Sequence, residues 1–114
     1  MNVLDLDRQL NEMIIQGKSV KAFQRFYAED VVAQENDEPE RVGREPWMRA
    51  RQEMEKSIRK FHAKVLANAA AGNTSFSEWE YDLELEGMGA MKMVQVAVRR
   101  WKDGRVVRER FYHK

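Results

Sequence analysis

Between Glu78 and Glu86 the chain alternates without a break, with Trp79, Tyr81, Leu83 and Leu85 set against Glu78, Glu80, Asp82, Glu84 and Glu86. A period of two is that of a strand with one face buried and the other in water, so this segment belongs to an antiparallel sheet. Its neighbours extend that sheet. Gly87-Met88-Gly89 turns the chain into a strand over Met91–Trp101, and Lys102-Asp103-Gly104 turns it again into Arg105–His113. A first hairpin centred on Met88, and a second with a three-residue loop ending in a left-handed Gly104, predict three cross-strand rows: Trp79, Ala97, Glu109; Tyr81, Gln95, Phe111; and Leu83, Met93, His113. A curved sheet with that inner face closes around a small molecule. In the first row, Ala97 leaves a recess in which Glu109 stands beside Trp79, a place where desolvation raises a carboxylate toward the range useful for acid–base work.

The chain has 114 residues, the size of one domain spanning 1–114, with room for one modest internal pocket. Twenty basic residues against nineteen acidic ones leave a net charge of +1, which supplies no overall attraction to nucleic acid or an anionic membrane. The absence of cysteine excludes disulfides, thiolate metal sites and cysteine nucleophiles. The opening MNVLDLDRQL lacks the apolar run of a signal peptide and no stretch reaches membrane-spanning length, so the expected location is cytoplasmic.

Upstream of the sheet, Val3, Leu6, Leu10, Met13 and Ile14 recur at helical spacing and Gly17 stands where a helix stops. Ser19 is placed to cap a second helix with Val20, Phe23, Phe26 and Tyr27 on its apolar side, closed by Glu29 and Asp30. Val31–Glu35 reads as a short strand and Asn36–Val42, with Pro39, as a turn region. A third helix starts near Arg44–Pro46, and the stripe Trp47, Arg51, Met54, Ile58 and Phe61 makes it the longest. From His62 to Ala71 periodicity fits either a helix extension or a strand; the turn signal Gly72-Asn73 favours the strand.

This order of elements resembles the SnoaL-like branch of the nuclear transport factor 2-like superfamily. The resemblance is carried by Phe26-Tyr27-Ala28-Glu29-Asp30-Val31 at the junction of second helix and first strand, by Val42-Gly43-Arg44-Glu45 ahead of the third helix, and by Trp101-Lys102-Asp103-Gly104-Arg105-Val106-Val107 at the last hairpin. It implies an α+β cone in which three helices pack in the concave face of a strongly curved, mainly antiparallel sheet, in the order α-α-β-α-β-β-β-β. The family includes polyketide cyclases, a ketosteroid isomerase, dehydratases, epoxide hydrolases and proteins with no catalytic role. Against the isomerase pattern, Glu35 falls on the proton-abstracting aspartate, whereas the two oxyanion-hole donors fall on Leu10 and Ala97. Neither can donate a hydrogen bond, which excludes that isomerase mechanism.

Two readings of the ionisable residues remain. Glu35 and Glu109 serve as acid and base, with Trp79, Tyr81, Gln95, Ala97, Arg99, Phe111 and His113 lining a pocket for a small, partly apolar organic ligand. Alternatively, Arg99 and Glu109 form a structural ion pair and the cone, filled by its own side chains, serves dimerisation or partner binding. His62, after the third helix, suits a solvent-facing or helix-end role. No metal-ligand spacing occurs, and no cofactor is implied. The basic group Arg99, Arg100, Lys102, Arg105, Arg108 and Arg110 is divided between two faces by strand alternation, which disfavours nucleic acid. Val94, Val96 and Val98 on the outer face, flanked by acidic and arginine-bearing strands, suggest a homodimer paired face to face under a two-fold axis.

Overall fold

The chain's polar and apolar periods resolve into three helices and six strands in the computed structural model, which describes residues 2–114. They run α1 (Val3–Ile15), α2 (Ser19–Phe26), β1 (Tyr27–Glu35), β2 (Arg41–Val42), α3 (Arg44–Glu55), β3 (Ile58–Ala71), β4 (Thr74–Leu85), β5 (Gly89–Lys102) and β6 (Arg105–His113). The sheet is curved and its order is β2-β1-β6-β5-β4-β3. All pairings are antiparallel except β1 with β6, which is parallel and brings the N-terminal half against the C-terminal strand.

Helix α1 begins with Asn2 Oδ1 accepting from the Asp5 amide at 2.9 Å, satisfying one of the free donors of the first turn. It ends at Gly17, whose φ of +79° permits the Lys18 amide to reach Met13 O at 2.9 Å and its own amide to reach Ile14 O at 3.0 Å, a Schellman closure. That closure leaves Lys18, not Ser19, at the start of α2. Ser19 is therefore the first helical residue, buried, and not a cap. Leu10, Ile14, Ala22, Phe23 and Phe26 share one core with Trp101 and Val106, in which Phe26 meets Trp101 edge-on at 6.1 Å.

Three expectations are corrected. The first strand starts at Tyr27, four residues early, so Glu29 and Asp30 lie in β1, and a short β2 falls within the expected turn region. Helix α3 stops at Glu55 and, at 12 residues, is shorter than the 13 of α1. Ile58 and Phe61 lie on β3, and His62 is an exposed strand residue opposite Asp82. The cause is a bulge between Ile58 and Lys60. One extra residue puts Ile58 and Phe61, three apart, on the same inner face, so a bulged strand imitates the spacing of a helix. The segment read as either helix or strand is β3 itself, bulged again between Val65 and Ala67.

Both hairpins hold a register two residues from the expected one. Leu85 pairs with Gly89, so the first turn is centred on Gly87, with Gly87 and Gly89 at φ +80° and +76°. In the second, Lys102 pairs with Arg105 across a two-residue turn in which Asp103 and Gly104 are both left-handed, followed by a bulge between Arg100 and Trp101 on the pairing with β6. Trp79 thus faces Gln95, Tyr81 faces Met93, Ala97 faces Ser77 and Phe111, and Arg99 faces Ser75 and Glu109. A shift of two keeps every side chain on its expected face, so Ala97, Arg99, Trp101 and Glu109 still point inward, buried.

Gly43 precedes α3 with φ +106°, and a Cβ there would lie 3.2 Å from Pro46 Cδ. Gly43→Ala combines left-handed strain with a tight contact against a rigid ring, and should cost about 2 kcal/mol in urea denaturation. An unchanged midpoint would contradict this account of the α3 start.

Candidate functional site

The inward face of β4–β6 and the outer half of α3 enclose a cavity of about 330 Å³. Its walls are largely apolar: Met54 and Trp47 from α3, Ile58 and Phe61 from β3, Leu83 and Leu85 from β4, and Met93 from β5. Phe23 and Trp47 (centroids 5.9 Å apart) and Trp47 and Phe111 (6.2 Å) make an aromatic wall. Tyr27 and Arg99 form the buried floor, with Tyr81 and Gln95 beside them. A second hollow of about 250 Å³ lies outside Trp47, between it and the β1–β2 turn, and shares Glu35, Arg41, Trp47 and Phe111 with the first.

Behind the floor lies a polar cluster that holds the fold together. Arg99 donates from Nε to Glu109 Oε2 at 2.6 Å, and from Nη1 to Asp7 Oδ1 at 2.8 Å and Asn11 Oδ1 at 2.6 Å. Tyr27 donates its hydroxyl proton to the same Glu109 Oε2. Asp7 Oδ2 also accepts from Asn68 and Ser77, both at 2.8 Å. Glu109 Oε1 is buried without a hydrogen-bond partner among the described residues, as are the indole nitrogens of Trp47 and Trp79.

Electrostatics follow from that packing. Burial alone would raise the Asp7 carboxyl, but the Arg99 charge and hydrogen bonds from Arg99, Asn68 and Ser77 outweigh it and hold it below the ordinary 3.8. Burial, reinforced by Glu109, pushes the Tyr27 hydroxyl well above 10, so it is a neutral donor at any physiological pH. For Arg99, burial opposes the charge but is overcome by Tyr27, Glu109 and Asp7, which keep it protonated. Burial raises Tyr81 to about 12 against the opposing pull of Arg99 and Arg51.

The residues singled out from sequence are divided by the structure. Glu35, Tyr81, Gln95, Arg99 and Phe111 line the cavity. Glu109 stands one layer behind it, directly opposite Arg99 and not beside Ala97. Trp79 is fully buried and stacks on Tyr81 at 5.4 Å, and Ala97 is sealed in the sheet. His113 faces Gln95 across the sheet, and its Nε2 lies 3.7 Å from Glu35 Oε2 at the rim. Tyr27, Asp7, Asn11, Asn68 and Ser77 were missed. A signal for two of them exists: Asp7 and Asn11 sit one turn apart on the inward side of α1, polar residues among Val3, Leu10 and Ile14.

Fold and cavity together define an α+β cone, and relatives share it. A SnoaL-like domain family model matches residues 8–109, and the chain belongs to that family. A nuclear transport factor 2-like protein of unknown function from Burkholderia pseudomallei superposes with a TM-score of 0.86 at 13% identity, covering 100% of this chain and 92% of the other. An LEH-like epoxide hydrolase from M. tuberculosis gives 0.81 at 16% identity, covering 98% and 82%. A candidate SnoaL-like polyketide cyclase from Mesorhizobium loti gives 0.83 at 19% identity, covering 98% and 99%. Comparison with curated proteins finds no sequence match. Among the described residues no helix is long and apolar enough to cross a membrane.

The Asp7 shift fixes the sign of an acid dependence. Its folded pKa lies below 3.8, so the unfolded chain takes up the proton first and the stabilisation, complete at neutral pH, is lost as pH falls through the folded value. Asp7→Asn should cost roughly 3 kcal/mol at neutral pH, by unbalancing a buried pair, and should flatten the acid limb of the urea midpoint against pH. Identical acid limbs would refute the assignment. Tyr81 acts at the other extreme: its stabilisation is present below pH 10 and lost as pH rises toward about 12. Tyr81→Phe should shallow the alkaline limb accordingly.

Proposed function

We propose that the cone binds a small, mainly apolar organic molecule and moves a proton on it, with Tyr27 and Glu109 as the inner acid–base pair and Glu35 at the mouth. The carrying observation is that Tyr27 lines the cavity while donating its proton to a buried carboxylate. As a carbon next to a ligand carbonyl loses a proton to the Tyr27 oxygen, Tyr27 passes its own proton to Glu109, and the C–H electron pair stays on the ligand. Reversal at a second carbon completes an isomerisation. Glu35, 43% exposed at its side chain, exchanges protons between the mouth and water. The cyclase and hydrolase that share the fold support a small-molecule role without fixing the reaction.

One observation favours a second reading, a non-catalytic module. Arg99 joins α1 to β5 and β6 through fully buried partners, as a structural staple would. Proton exchange from the carbon of 2-tetralone into D₂O, followed by NMR, separates the two. Catalysed exchange should be abolished in Glu109→Gln and in Tyr27→Phe, with circular dichroism unchanged, and Ala50→Trp, at the cavity wall, should block it sterically. Variants that alter only the urea midpoint would leave the module reading standing.

The outer sheet face supports a further proposal, pairing with a second copy. Val94 is 50% exposed there, and on the same face lie Phe76 at 40%, opposite Val98, and Tyr112 at 44%, opposite Val96, apolar surface of the kind that self-association covers. Lys60, Lys64 and Lys92 already answer Glu84 and Glu80. Among the described residues Glu78 and Arg100 have no ion-pair partner, and a two-fold axis matches one to the other. Sedimentation should give a dimer that Val96→Glu converts to monomer; a monomeric wild-type chain at high micromolar concentration would sink this arrangement.

A further inference from the structure

The cavity's charge is one-sided. Of its charged lining residues, Arg41, Arg51 and Arg99 are basic and Glu35 alone is acidic. Arg99 is answered from behind by Asp7 and Glu109. The other two are not held in that way. Arg51 reaches Glu55 Oε1 and Ser19 Oγ only at 3.4 Å each, leaving Nη1 unengaged, and Arg41 has no ion pair among the described residues.

Tyr81 supplies the matching donor. It is 8% exposed, lines the cavity and accepts from Gln95 Nε2 at 3.2 Å, while its own hydroxyl proton has no acceptor among the described residues. Arg99 and Arg51 both act on that hydroxyl, and their pull exceeds the opposing push of Glu109. An anionic oxygen beside Tyr81 would therefore meet a hydrogen-bond donor on which the Arg51 and Arg99 charges act more strongly than Glu109. Outward from this point the walls are carbon: Phe61, Leu83, Leu85, Met54 and Met93.

We propose that the cavity takes an apolar carboxylate, its head received by Tyr81 and Arg51 and its body laid along the β3–β4 wall. The inference rests on reading the cavity as a ligand site. A neutral head group would fill the same space but leave the partly buried Arg51 answered only by Glu55, at 3.4 Å on its own helix, which disfavours it.

NMR titration of the full chain with 2-naphthoate, 2-acetylnaphthalene and 2-ethylnaphthalene tests this, because the three share one apolar body. The naphthoate should bind about 10-fold more tightly than the hydrocarbon, with the ketone between them. Arg51→Gln should remove roughly that factor for naphthoate and leave the hydrocarbon unchanged, and Tyr81→Phe should act in the same direction. Equal affinity of naphthoate and hydrocarbon, tighter binding of the ketone, or equal weakening of all three in Arg51→Gln would overturn the carboxylate assignment while leaving the cavity reading intact. Failure of all three to bind would overturn both.

Discussion

A guanidinium with no access to water has to be answered from within the fold, and Arg99 sets that demand here. At 1% exposure its charge is met by a carboxylate on the first helix and another on the last strand, elements far apart in the chain. Removing either leaves a charge in a low-dielectric interior, which costs more than the pair contributes when intact. The cluster therefore fixes the seat of α1 on the sheet, and the rest of the architecture has to accommodate it. Asn68 can reach Asp7 because the second bulge of β3 turns it inward. Ser77 and Asn11 complete the set by bonding each other at 2.9 Å.

That arrangement also decides what the cavity floor is made of. Tyr27 and Arg99 face two ways, to the cluster behind and to the cavity in front. A side chain locked by several partners presents its remaining surface at a fixed place, which is the condition for a pre-organised site. The apolar walls above it are held differently, by methionines and tilted aromatic rings, and they can adapt to the shape of an occupant.

Much of this was legible in the residues. The unbroken alternation through β4 has one structural meaning because burial on one face is what produces it, and Gly17 marked the end of α1 because only a left-handed residue closes a helix that way. Register was harder. Gly87 and Gly89 bracket Met88 symmetrically in sequence, yet which of three residues sits at the turn's centre depends on backbone twist that composition does not encode. Bulges defeat periodicity for the same reason: the spacing of Ile58 and Phe61 is that of a helix until one residue is lifted out of the ladder. The polar cluster stayed hidden because its members lie on six separate elements and only folding brings them together; Glu109 and Arg99 were visible as a pair, whereas Tyr27 passed for part of a helix's apolar side.

The parallel seam between β1 and β6 has a consequence for how the molecule comes into being. Strand β1 gains its long partner only when Arg105–His113 is available, and β6 is held on its other side by β5. During synthesis β1 stays without that partner until β6 has emerged. Closing that seam brings distant positions together, a step that is slow to complete and exposes the nascent chain to self-association in the interval.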